Sequence, residues 1–154
     1  MPESGDQKMM KVALVEARKA FKANEVPVGA IIVNKNGQII AKAHNIQEHS
    51  HDATAHAEIV AIRAACAKLS RRRLADMTLY VTLEPCPMCA GAIHLSHIGR
   101  LVYGAPDARI GAVESLFAIL SHPGIKNRIE IRGGVLEDEC KSLLRNFFAA
   151  RRGT

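Results

Sequence analysis

The sequence predicts an α/β fold: a mixed sheet of about five strands, covered by helices on both faces. Three observations predict it. Short β-rich runs alternate with stretches whose apolar residues recur at helical spacing. The first two runs flank an Asn-Gly turn, the mark of a hairpin. The later runs are separated by helix-length segments, the mark of parallel strand–helix–strand units.

Taken in order, KVALVEARKAF places Ala13, Leu14, Ala17 and Phe21 on one helical face. VGAIIV and QIIAKA, joined through NKNG, form the hairpin around Asn36 and Gly37. In the next helix Ile59, Ile62, Cys66 and Leu69 recur at helical spacing. TLYVT, from Thr78 to Thr82, is short and β-rich, and CPMCAGAIHLS follows it at once as a helix. Proline is favoured at the first helical position, so Pro87 makes Cys86 the cap residue. RLVYG is a further strand, ESLFAIL a short helix and IEIRGG a weak last strand. Cys140, Leu143, Leu144, Phe147 and Phe148 line a final amphipathic helix. With no repeat, low-complexity run or long linker, residues 1–154 read as a single domain.

A chain of 154 residues can bury a core without staples. No apolar run of about 18 residues occurs, which excludes a helical membrane span, and the N-terminus lacks a secretory apolar centre. Four cysteines without such a signal indicate a reducing compartment, expected to be the cytoplasm, where a close cysteine pair more often binds metal than forms a disulfide. The net charge of +6 is unevenly placed. Through Val60, 7 basic residues balance 7 acidic ones; from Ala61 onward, 14 face 8. Arg71–Arg73 form one run, and Arg151 and Arg152 lie near the end. Such an excess suits either a polyanionic partner or a solvated surface.

The chemistry gathers in HAEIVA and TLEPCPMC. Cys86 and Cys89, three apart, share a helix face at its N-terminus, where the macrodipole favours thiolates. His56 opens the preceding helix. Glu58, two positions on, can converge with it only on something beyond the helix end, because Cα–Cβ bonds tilt toward the N-terminus. One imidazole and two thiolates suit Zn²⁺. A fourth ligand would close the site as structural; an open position would make it catalytic. His94 and His97 lie too far along the helix, Cys66 and Cys140 fall on apolar faces, and His122 sits in a turn. His51 is the rival fourth ligand; the open position is the expectation. Glu58 beside an open zinc site is hydrolytic equipment, since zinc lowers the pKa of its water and a carboxylate can carry the proton.

The pattern H-A-E followed by P-C-x-x-C resembles the zinc-dependent nucleobase and nucleoside deaminases. VPVGAIIV, HNIQEH, TAHAEIVAIR, TLYVTLEPCPMCAGAI, IGRLVYGAPDARIGA, the HPG segment and ECKSLLRNFFAARR are similar, in order, to the bacterial tRNA adenosine deaminase family. That resemblance implies a cytidine-deaminase-like three-layer α/β/α fold. It implies zinc, one per subunit, on His56, Cys86 and Cys89, and Glu58 as the proton shuttle. It also implies that Asn45 hydrogen-bonds the target base and Asp107 lies near the ribose of the flipped nucleotide. On residue type alone, Asn45 could equally be a turn residue and Asp107 a helix cap. The implied reaction is attack of zinc-bound hydroxide on C6 of the wobble adenosine, position 34 of a tRNA anticodon, giving inosine. The implied partners are the anticodon stem-loop and a second copy of the chain. Ala53 departs from a common proline, and Arg71–Arg73 from an aromatic-containing segment. The low aromatic content, with no tryptophan, suits a pocket for one nucleotide better than a stacking platform. Deamination of a free base or nucleoside is the first alternative, and a non-catalytic zinc-stabilised RNA-binding module the second.

Overall fold

The structure, a computed structural model, describes residues 3–152. Its elements run α1 (Gly5–Lys22), β1 (Gly29–Val33), β2 (Ile39–His44), α2 (Gln47–Ser50), α3 (Ala57–Leu69), β3 (Thr78–Leu83), α4 (Pro87–Leu95), β4 (Arg100–Ala105), β5 (Glu130–Arg132) and α5 (Glu137–Arg152). Helix α1 begins well before the expected Lys11. Ser4 and Gln7 form a reciprocal capping box, with Gln7 N donating to Ser4 Oγ at 3.1 Å and Ser4 N to Gln7 Oε1 at 2.9 Å. The added turn buries Met10 beside Ala13, Leu14 and Ala17.

The five strands lie in the order β2-β1-β3-β4-β5. β1 is antiparallel to both β2 and β3, whereas β4 is parallel to β3 and to β5, so the sheet is mixed as expected. The hairpin turns at Gly37, whose φ of +80° suits glycine best. Side chains alternate between two cores: Ala30, Ile32, Leu79, Val81 and Leu101 face α3 and α4, while Ile31, Val33, Tyr80 and Val102 face α1 and α5. Burial on both faces explains why β1 reads GAIIV without a polar position.

One expectation is refined and another corrected. Helix α3 buries Ala57, Ala61 and Ala65 most deeply, and Ile59, Ile62, Cys66 and Leu69 are only half-buried. The small alanine face lets α3 lie close to the sheet, so side-chain size selected the inner face there. The expected helix ESLFAIL does not form: residues 114–120 make turns and irregular backbone, and the amides of Val113, Glu114 and Ser115 donate to a buried carboxylate described below.

The topology gathers the functional residues at one end of the sheet. Because β1 runs against β2 and β3, the end of β2, the beginning of β1 and the ends of β3 and β4 share one edge. Asn45 follows β2, Cys86 follows β3 and Asp107 follows β4. Helix α3, which begins after His56, starts at the same edge: Asn45 Oδ1 accepts the N–H of Ala57 at 2.7 Å.

Candidate metal centre

His56 and Cys86 are the N-cap residues of α3 and α4, and neither spends its side chain on a cap hydrogen bond. Pro87 starts α4 as the sequence predicts, and Cys89 follows within its first turn. Two helix N-termini thus meet with ligating atoms between them. His56 Nδ1 lies 3.6 Å from Cys86 Sγ and 3.4 Å from Cys89 Sγ. Tetrahedral zinc with bonds of about 2.0 Å to nitrogen and 2.3 Å to sulfur needs N···S separations of about 3.5 Å. The three donors therefore fit zinc in chemistry and in spacing. All three atoms lie within 4.8 Å of one another, and no other His, Cys, Asp or Glu among the described residues joins the group. His51 is exposed, closing α2 with a φ of +51°, so it does not supply a fourth ligand. His94 and His97 line a separate cavity at the far end of α4.

The electrostatics of the cluster are those of a site prepared for a cation. The Cys89 thiol hydrogen-bonds the Cys86 sulfur and, with His56 beside it and against the cost of burial, holds the Cys86 thiol down at about 4. The same hydrogen bond, with burial and nearby Glu58, pushes the Cys89 thiol far up. Burial pushes Glu58 up to about 7, partly opposed by its own backbone N–H and by His56. At 4% exposure, Glu58 is a carboxyl poised to gain and lose a proton near neutrality.

Asn45 has two faces. Its Oδ1 satisfies Ala57 N, which leaves the amide Nδ2 to the pocket that Asn45 lines. The residue is thus a helix-cap partner for α3 as well as part of the pocket wall. Asp107 Oδ1 accepts Arg109 N at 3.0 Å and Ile110 N at 3.4 Å, closing a turn; it caps no helix. Both residues face one pocket of about 150 Å³ with His56, Glu58 and Cys86, walled by Val26, Val28, Leu83 and Ile110. The structure therefore brings together all six sequence-predicted site residues.

Of the buried carboxylates absent from the sequence analysis, two flank the site. Glu25 accepts Glu48 N, His49 N and the His49 ring, tethering the chain after Asn45. Glu84, two residues before Cys86, gathers the loop that carries Asp107. Neither has a sequence signal that separates it from a solvated glutamate.

Residues 3–105 match the family described as the cytidine and deoxycytidylate deaminase zinc-binding region. The tRNA-specific adenosine deaminase of Bacillus subtilis is 46% identical over 147 residues, covering 96% of this chain and 91% of its own. That of Aquifex aeolicus is 48% identical over 148 residues, covering 96% and 97%. A solved structure from studies of A-to-I editing by tRNA:A34 deaminases at the wobble position superposes with a TM-score of 0.85 at 46% identity, covering 89% of this chain and 99% of that one. A guanine deaminase from Nitrosomonas europaea is similar at a TM-score of 0.79 and 29% identity, covering 93% and 84%. The chain belongs to the cytidine and deoxycytidylate deaminase zinc-binding family, and within it to the tRNA-specific adenosine deaminases.

Proposed function

We propose that the protein hydrolyses adenosine to inosine at the wobble position, position 34, of a tRNA anticodon, the whole chain acting as one deaminase domain. The observation that carries the proposal is the buried Glu58 beside three zinc-spaced donors, in a chain so similar to tRNA-specific adenosine deaminases. Zinc, which His56, Cys86 and Cys89 would hold, would supply the positive charge that makes water nucleophilic at neutral pH. Glu58 takes a proton from the attacking water and gives it to N1 of the adenine, then carries the proton of the new C6 hydroxyl to the departing amine. The water oxygen becomes the C6 carbonyl oxygen, the C6–N bond breaks, and ammonia leaves. Asn45 Nδ2 donates to a purine acceptor, Val26, Val28, Leu83 and Ile110 enclose the base, and Asp107 offers a carboxylate oxygen to the ribose.

The partner is an anionic RNA loop. A cleft of about 700 Å³ adjoins the site, sharing Val26, Leu83 and Asp107 with it, and is lined by Arg109, Lys141, Arg145, Arg151 and Phe148. Such a groove suits phosphates and an unstacked base. An anticodon loop presents its bases already splayed, so extrusion costs little. A second copy of the chain is expected to cover Met88, Leu95, Leu116 and Phe117, apolar side chains left exposed by α4 and the 110–117 loop, Leu95 by 71%. Four cysteines outside any disulfide support a cytoplasmic location.

The decisive assay offers the zinc-loaded protein a stem-loop with A at the wobble position and, separately, free adenosine, cytidine, cytosine and guanine. Turnover of the stem-loop is expected; turnover of only a free base or nucleoside would overturn the RNA reading.

A further inference from the structure

Glu84 is 2% exposed, yet both its oxygens are occupied by one short segment. Oε1 accepts Asp107 N at 3.0 Å and the hydroxyl of Ser115. Oε2 accepts Val113 N at 3.1 Å, Glu114 N at 2.8 Å and Ser115 N at 2.9 Å. Four amides converge on one carboxylate, enough to outweigh its burial and hold it at about 2. The weld continues on either side: Glu84 N donates to Ala105 O and Ala112 N to Pro85 O, each at 2.8 Å. Gly111 completes it, since a Cβ there would lie 2.5 Å from both Asp107 O and the Glu84 carboxylate. Asp107 is thereby fixed twice, its backbone by Glu84 and its carboxylate by the turn through Arg109 and Ile110.

We infer that Glu84 is a positioning residue: it locks the loop bearing Asp107 to the turn bearing Cys86, and so sets the distance between the sugar of the target nucleotide and the metal. This rests on the reading that Asp107 meets the ribose. Glu84 lies in the wall of the same pocket, but both its oxygens are taken up by the loop, and it acts through the loop. A displacement of about 1 Å in a substrate-holding group can cost about a hundredfold in rate, which is why a buried splint at this place matters to catalysis. A purely structural role would lower stability without regard to Asp107.

The test is a double-mutant cycle on the zinc-loaded full chain, measuring kcat and KM with the wobble-A stem-loop, zinc content, and the visible spectrum of the Co²⁺-substituted protein. Glu84→Gln places an NH₂ among donors that need an acceptor. It is expected to lower kcat/KM about tenfold or more, mainly through kcat, with zinc content and Co²⁺ spectrum unchanged. In an Asp107→Ala background the same substitution is expected to change kcat/KM less than about twofold. Ser115→Ala, which removes one hydrogen bond, gives a smaller loss with the same dependence on Asp107 and carries the cycle if Glu84→Gln does not fold. Equal losses in both backgrounds, no loss at all, or an altered Co²⁺ spectrum would each overturn the inference. If Asp107→Ala alone leaves kcat/KM unchanged, the ribose reading falls instead.

Discussion

On the proposed function Asn45 has two tasks for one side chain, and two substitutions should separate them. Its Oδ1 receives Ala57 N at 2.7 Å, and Ala57 is fully buried, so no water replaces that acceptor. Asn45→Ala removes a helix N-terminal acceptor and strands a buried N–H, a loss of about 1–2 kcal/mol. For a chain of this size that lowers Tm by about 2–8 °C. The same variant loses the amide donor to the purine, which should lower kcat/KM by about 10- to 100-fold. Asn45→Asp keeps an acceptor for Ala57 N, and its charge lies at the N-terminus of α3. Its Tm should stay within about 3 °C of the parent, since the cap is retained. It loses the donor and turns a carboxylate toward the base, so kcat/KM should fall by about 100-fold or more. Thermal unfolding by circular dichroism and steady-state kinetics on the wobble-A stem-loop supply the two readouts. An Asn45→Asp protein that deaminates normally would refute the donor role; an Asn45→Ala protein with unchanged Tm would refute the cap role.

Further outcomes follow from other parts of the molecule. Without metal the Cys89 thiol is pushed up by its bond to Cys86 and by burial, and the His56 ring is pushed up chiefly by its bond to Cys86, whereas zinc takes thiolates and a neutral imidazole. Zinc binding at pH 7 should therefore release protons and weaken as pH falls; calorimetry in buffers of different ionisation enthalpy checks this, and zero release would contradict it. Asp6 bonds Arg100, Arg132 and Tyr80, and the Arg100 guanidinium first among these holds its carboxyl well below the usual range despite burial. A depressed folded value means stability present above the unfolded pKa, near 4, and lost as pH falls below it. Asp6→Asn should cost about 2 kcal/mol at pH 7 and flatten stability between about pH 5 and 2, measured by urea unfolding. Leu95→Asp, on the exposed apolar face of α4, should shift sedimentation from dimer to monomer; an unchanged dimer would place the interface elsewhere.

The metal ligands were legible because their chemistry is written in type and local spacing: His56 and Cys86 precede helix starts that their neighbours announce. The hairpin was legible for the same reason, through Asn36 and Gly37. What escaped depends on contacts distant in sequence. ESLFAIL has helical composition but forms no helix; the amides of Glu114 and Ser115 at its start bond Glu84, some thirty residues away, a contact that no local pattern announces. The inner face of α3 escaped because apolar spacing favoured its isoleucines, while close approach to the sheet favours its alanines. The start of α1 was available in Ser4 and Gln7, a capping box that the hydrophobic period alone does not reveal.

The central claim is most directly tested by mapping inosine in full-length tRNA carrying A at position 34. After reaction with the zinc-loaded protein, reverse transcription should read G at position 34 and A at every other adenosine. The Glu58→Gln protein should retain zinc and lose about a thousandfold or more in rate, because its side chain cannot carry the proton. Inosine at other positions, its absence from position 34, or normal conversion by Glu58→Gln would contradict the account.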